Sequence, residues 1–434
     1  MIGFVAFAVV ATVATVHGLR AITRRDTMTV LVSLVCTAVY VLALFVPALL
    51  QASGLVESKL VRAGFAYAPT TDEVGTLALR WAVELAVIVL AEALVWRTRA
   101  GTAARLRQLG PVEDVDGTWR RVALLMVLVG LAANVAFPAA GVEDRGAGGD
   151  GIGVLLRTFL VVGLAVVVYF RLYRERLHAV LLVGGVAFMV LSNVRSPLLV
   201  LACAALASAL RRGRISSARS VAVVVVVGIV FALTASLMSN LRANTARDYG
   251  FTTGEVVGQT LENPWVAPYG AGLDTLDGYR FSVRVAELEP PRPSEFLNVV
   301  LTFVPRAVWP DKPSSLAVDL SRRYLAYGAS GQFLSPVGYL LLLTGSYPLA
   351  LLALALLTGL AALLVRVGME RFWLTIVVTV VVRFMIGGSS FDLYYGLTLA
   401  VPVAAASWYV RRVEQRTGRA SRLDRLRGVP LGSR

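Results

Sequence analysis

Eleven apolar runs punctuate the chain, at about residues 2–19, 28–50, 77–96, 121–140, 152–170, 178–193, 196–210, 220–240, 336–365, 372–387 and 391–410. Each is long enough, or nearly so, to cross a bilayer as a helix. The pattern predicts an all-α polytopic membrane bundle of about eleven transmembrane helices. Residues 1–240 carry spans one to eight, 241–335 form one long loop, 336–410 carry spans nine to eleven, and 411–434 form a basic tail. Span nine holds Gly345 and Pro348 inside an apolar run and is expected to be tilted or kinked. Within the loop, 251–272 reads as irregular, and 273–288 as an amphipathic helix lying on the membrane.

Charge alternates with the runs. The connectors Arg20–Asp26, Arg97–Arg121, Arg171–Arg176, Arg211–Arg219 and Arg366–Arg371, with the tail from Arg411, carry net charges of +2, +3, +2, +4, +1 and +6. Glu57–Glu73 carries −1 and Glu143–Asp150 carries −2. Short basic connectors stay in the cytoplasm, which predicts an outer N-terminus, a cytoplasmic C-terminus and an extracytoplasmic 241–335. The first run has no basic n-region or small-residue cleavage site and reads as a retained span.

Composition agrees with this class: 57% of the 434 residues are hydrophobic, 16% are charged, and the mean hydropathy is +0.72. The net charge of +15 is distributed over short connectors, as membrane topology requires, so no nucleic-acid partner is implied. Cys36 and Cys203 sit in apolar runs and give neither a disulfide framework nor metal spacing. His17 and His178 flank apolar runs and read as packing residues.

Candidate chemistry concentrates in the long loop and at one level of the bundle. Val304–Pro313 holds three prolines, which forbid a regular helix, and between them fixes Arg306, Trp309, Asp311 and Lys312. Three further arginines, Arg157, Arg195 and Arg383, fall at outer-leaflet depth in or beside spans five, seven and ten. A guanidinium there either snorkels to headgroups or faces an anion. With Arg306 and Lys312 at the same level, the five cations describe a pocket suited to a phosphate or diphosphate. Asp392 is either the partner of Arg383 or a base. Arg80 and Glu84, an i,i+4 pair with Glu92 two turns on, read as a mutually neutralised structural set. No Walker A loop, GxSxG elbow or HExxH motif is present, no Asp-x-Asp falls in the segments read as extracytoplasmic, and the cytoplasmic connectors are too short to hold a nucleotide. Chemistry would therefore be extracytoplasmic, with an activated donor arriving on a lipid.

Val-Pro-Arg-x-x-Trp-Pro-x-Lys-Pro, then Ser-Pro-x-Gly at 335–338, Arg195-Ser196 opening span seven and Arg383 in a late span together resemble the O-antigen (Wzy-type) oligosaccharide repeat-unit polymerases. The resemblance covers the chain from span six onward. It implies a metal-independent, GT-C-like integral membrane glycosyltransferase with no cofactor, in the cytoplasmic membrane. Donor and acceptor would be polyprenyl-diphosphate-linked oligosaccharides, and a flippase and a chain-length regulator would be its partners. Arg306 and Lys312 would hold the diphosphate, with Arg195 and Arg383 at the family's other arginine positions. Tyr339 stands where the family often has Glu.

The implied reaction is displacement at the anomeric carbon, with lipid diphosphate leaving and arginines stabilising its charge. Asp274, Asp277 and Asp392 are the candidate bases for the attacking hydroxyl. Trp309, Tyr324 and Tyr327 are candidates for stacking on sugars, though an interfacial aromatic belt accounts for them equally. Arg292, outside the proline-rich segment, is expected to tolerate alanine. Two other classes remain open, an O-antigen-ligase-like transferase and a flippase or transporter of lipid-linked sugar; the absence of two-half symmetry weighs against transport.

Overall fold

The computed structural model describes residues 1–23, 27–62, 64–97, 117–136, 151–191, 196–211, 252–262, 275–301, 304, 309, 315–325, 334–366, 373–388 and 390–426. They are helical, with no strand among the described residues. In chain order the helices are α1 (Ile2–Thr23), α2 (Met28–Ala52, with π-helical turns at Leu31–Val35 and Tyr40–Phe45), α3 (Thr71–Arg97), α4 (Gly117–Ala136), α5 (Gly151–Phe170), α6 (Arg176–Leu191) and α7 (Ser196–Arg211). They continue as α8 (Thr253–Glu262), α9 (Thr275–Leu288), α10 (Leu316–Tyr324), α11 (Pro336–Thr344), α12 (Tyr347–Arg366), α13 (Trp373–Gly387) and α14 (Ser390–Leu426).

Among the described residues, five helices are long and apolar enough to cross a membrane: α1, α2, α3, α4 and the Asp392–Val410 part of α14. Shorter apolar helices cover Leu155–Phe170, Arg176–Met189, Pro197–Ala209 and Tyr347–Leu363. The apolar run at 220–240 lies outside the described residues. The outward faces are themselves apolar. Val5, Val9, Val13 and Val16 on α1 are exposed, as are Leu349, Leu352, Leu356 and Leu360 on α12. Stripes at this spacing would be costly in water and are what a lipid-facing helix presents.

Close contacts give the helix directions. Gly3 abuts the Gly75 backbone and the Phe7 and Trp81 rings lie 6.3 Å apart, so α1 and α3 are parallel. Phe7 meets Phe45 at 4.9 Å while Gly18 abuts Leu34, so α2 runs against α1. Gly130 seats on the Leu160 backbone and Gly163 on Val127, which makes α4 and α5 antiparallel. The Ser208 hydroxyl donates to the Tyr169 carbonyl at 2.7 Å, aligning α7 with α5, and Thr158 donates to the Thr398 carbonyl at 3.0 Å, aligning α14 with α5. With Leu206 and Ala209 of α7 packed against Ala21 and Ile22 of α1, these directions put the C-terminal ends of α1, α3, α5 and α7 at one end of the bundle.

Several segments depart from expectation. Residues 253–262 are helical rather than irregular, because Thr252 and Glu255 cap each other reciprocally: Thr252 N–H donates to Glu255 Oε2 at 2.7 Å and Glu255 N–H to Thr252 Oγ1 at 3.3 Å. Span nine is two helices, not one kinked helix. Gly345 ends α11 in the left-handed conformation at φ 67°, where an added Cβ would meet the Pro291 ring at 3.1 Å, and Pro348 sits in the first turn of α12. The last helix does not end at 410, since α14 continues to Leu426. Finally, α9 does not lie on a membrane surface. Its first two turns, from Thr275 to Ser282 apart from half-buried Arg280, are buried among the other helices.

Candidate functional site

The Ser335-Pro336-Val337-Gly338 turn is buried at the start of α11. Ser335 caps α11 by accepting from the Gly338 N–H at 3.2 Å, and it does so at φ 62°, a strained backbone for a residue with a side chain. Its backbone is pressed against the corner between α13 and α14. A Cβ on Gly388, itself at φ 56°, would lie 1.9 Å from the Ser335 carbonyl carbon. On its other side a Cβ on Gly338 would lie 1.9 Å from the Ser282 hydroxyl, which donates to the Leu334 carbonyl at 2.5 Å. The turn is thus wedged between α9 and the α13–α14 corner, with no room for a larger residue on either face.

Arg383 and Asp392 flank that corner. Arg383 Nε donates to Asp392 Oδ1 at 2.7 Å, their side chains are 15% and 5% exposed, and the guanidinium stacks on the Tyr395 ring at 4.3 Å from its centroid. Asp392 is therefore the arginine's partner. Arg157, at the matching end of α5, donates from Nε to the Gly153 carbonyl at 3.2 Å and lies within electrostatic reach of the Tyr394 phenol. Arg383, Asp392 and Arg157 are brought to the same end of the bundle by the α5–α14 and α13–α14 pairings. The two tyrosines went unnoticed in the sequence, although Tyr395 is one helical turn from Asp392 and so shares its face.

Other expected site residues are placed elsewhere. Asp277 is buried and accepts from Gln51 Nε2 at 3.0 Å and Ser58 Oγ at 2.8 Å, which ties α9 to the end of α2. Tyr324 turns its ring edge onto Phe65 at 5.6 Å and donates its hydroxyl to Glu289 at 2.9 Å. Trp309 is half-buried. Arg195, Asp274, Arg306, Asp311, Lys312 and Tyr327 lie outside the described residues.

Two expectations are corrected. Arg80 acts on Glu84 only at a distance and not as a direct ion pair; Glu84 accepts from the hydroxyls of Tyr279 at 2.7 Å, Tyr40 at 3.0 Å and Tyr347 at 3.1 Å, and Arg80 lies over the Tyr347 ring at 5.7 Å. Three phenols from three elements converge there because a buried carboxylate needs donors on both oxygens. Nor is Arg292 a neutral position. It bridges Glu289 and, at 2.8 Å, Asp319, while its backbone N–H donates to the Leu342 carbonyl at 3.0 Å.

Arg323 completes the network by pairing with Glu289 at 3.1 Å and with Asp319. Partial burial works against the Glu289 carboxylate, but the Tyr324 and Arg292 hydrogen bonds and the charges of both arginines outweigh it and hold its pKa below the usual 4.5. For Asp319, burial is likewise outweighed by Arg292 and Arg323, and its pKa is held below 3.8. No family model, no curated protein and no solved structure matches this chain.

Proposed function

We propose that the chain is a membrane-embedded glycosyltransferase that joins lipid-diphosphate-linked oligosaccharide repeat units on the outer face of the cytoplasmic membrane. In this reading it crosses the membrane about eleven times, with the end of the bundle bearing Ser335, Gly388 and Arg383 outside. The supporting observation is the contact between the Ser-Pro-x-Gly turn and the α13–α14 corner. It brings together two features on which the resemblance to Wzy-type polymerases rests, though they stand about fifty residues apart in the chain.

At that corner Asp392 and the Tyr395 ring fix the orientation of the Arg383 guanidinium. An arginine held this way offers positive charge to a departing diphosphate without reorganising as the charge develops. Arg306 and Lys312, from the proline-rich segment that precedes the turn in the chain, would clamp the same group, and Arg195 and Arg157 would complete the cationic lining.

The test is turnover of a polyprenyl-diphosphate-linked repeat unit by the purified protein. A ladder of polymer with release of the lipid diphosphate is expected. It should persist in excess EDTA, because the chain's one Asp-x-Asp pair, Asp114 and Asp116, falls in a connector read as cytoplasmic, away from the proposed site. Transfer of preformed glycan to a different acceptor would mark a ligase, and movement of intact substrate across vesicles without a covalent product would mark a flippase.

A further inference from the structure

The polar centre at Glu84 is not used by the chemistry above, yet it connects to it. Glu84 lies thirteen residues into α3, is 1% exposed, and takes three phenol hydroxyls: Tyr40 from α2, Tyr347 from the start of α12, and Tyr279 from α9. Two of those donors belong to apolar helices of the bundle. The third belongs to a helix that the chain pattern assigns to the loop. One turn along α9 from Tyr279, Ser282 donates to the Leu334 carbonyl and fills the space beneath Gly338, and Ser335 bears on Gly388 at the Arg383 corner.

We infer that Glu84 is the anchor that docks α9 into the membrane bundle, and is thereby a positioning residue for the Ser335–Gly388 corner. A carboxylate suits this role better than a neutral group. It only accepts, so three donors can converge on it without competing, whereas an amide would present its own N–H groups to phenols that are already donors. Withdrawing α9 would remove the shortest of the three bonds and leave a buried carboxyl oxygen short of a donor. Asp277, two residues before Tyr279, provides a second attachment to Gln51 and Ser58 and fixes the helix in rotation as well as depth.

The positioning half of this inference rests on the glycosyl-transfer reading; the docking half does not, and one experiment separates them. Val285 on α9 is fully buried. A single cysteine there, in a background with Cys36 and Cys203 replaced by alanine, reports undocking by its rate of reaction with a membrane-impermeant maleimide.

Glu84→Gln and Tyr279→Phe should each raise that rate about tenfold, the worth of one hydrogen bond to a buried charge, and the double variant should add little to either. Glu84→Asp, which keeps the charge but shortens the reach, should fall between. Arg284→Ala removes only an exposed pair with Glu287 on the same helix and should leave the rate unchanged. Where Glu84→Gln does not accumulate, Tyr279→Phe carries the same test, since it deletes one hydroxyl. Unchanged labelling in a folded Tyr279→Phe protein would overturn the anchor. Raised labelling with an undiminished polymerisation rate would overturn the positioning role. Raised labelling in a protein whose parent makes no polymer would support the anchor and sink the glycosyl-transfer reading instead.

Discussion

The arginines of this protein differ in what their substitution should remove. Arg383 pairs with Asp392 with little exposure, so Arg383→Ala takes a counter-charge from a buried carboxylate. The expected loss is about 3 kcal/mol of stability, measurable as a lowered unfolding midpoint in detergent, with Asp392→Asn recovering part of it in the double variant. Arg292 shares two carboxylates that water reaches partly, and Arg292→Ala should cost about 1–2 kcal/mol by the same measurement. Arg306 is the contrasting case. On the proposed mechanism Arg306→Ala lowers turnover by about a hundredfold or more without a matching loss of stability, and Arg306→Lys, which keeps the charge without the planar fork, recovers only part. Polymer ladder length and rate at matched membrane abundance decide it; full activity in Arg306→Ala would move the chemistry to Arg195 and Arg383.

Between elements, close contact sets the tolerances. Gly388 combines a left-handed backbone with a Cβ position 1.9 Å from the Ser335 backbone, and neither atom belongs to a flexible side chain. Gly388→Ala therefore has to separate α11 from the α13–α14 corner. It should lower the midpoint more than Gly54→Ala, whose Cβ would meet nothing within 4 Å and which carries the cost of positive φ alone. The junction of α9 and α10 depends on charge instead. Glu289 and Asp319 have folded-state pKa values below their unfolded values, so each contributes stability that is fully present above about pH 5 and is lost as pH falls through the folded value. Acid titration should release the Arg292–Glu289–Asp319–Arg323 network below the ordinary carboxylate range. Cleavage near Pro290 by an added acid-active protease should rise at that pH, and Glu289→Gln with Asp319→Asn should flatten the profile.

For the whole molecule, the positive-inside rule predicts which side of the membrane each connector faces. Single cysteines labelled in intact cells with an impermeant maleimide should react at Ser294, which is exposed beside the Arg292 network, and not at Ser217 in the connector after α7. The reverse pattern would invert the molecule and place the Arg383 corner in the cytoplasm, where the proposed lipid-linked donor would not meet it.

The helical class and the presence of long apolar helices were legible in the chain, because hydropathy acts locally and does not depend on which helices are neighbours. Helix ends were partly legible. The Thr252–Glu255 cap is a four-residue signal that was there to be found, and so was Gly345 as a stop inside span nine. Partnership was not legible. Arg80 and Glu84 are one turn apart and invite pairing, yet the carboxylate is taken by phenols from residues 40, 279 and 347, each supplied by a different element. The amphipathic pattern of α9 fits a membrane surface and a crevice between helices equally well, since both offer one apolar side. Only the packed bundle supplied Glu84 and Asp277 with their donors and put the helix inside. Likewise Ser335 and Gly388 became one site because two backbones without intervening side chains fit there, a condition of three-dimensional space that no spacing along the chain expresses.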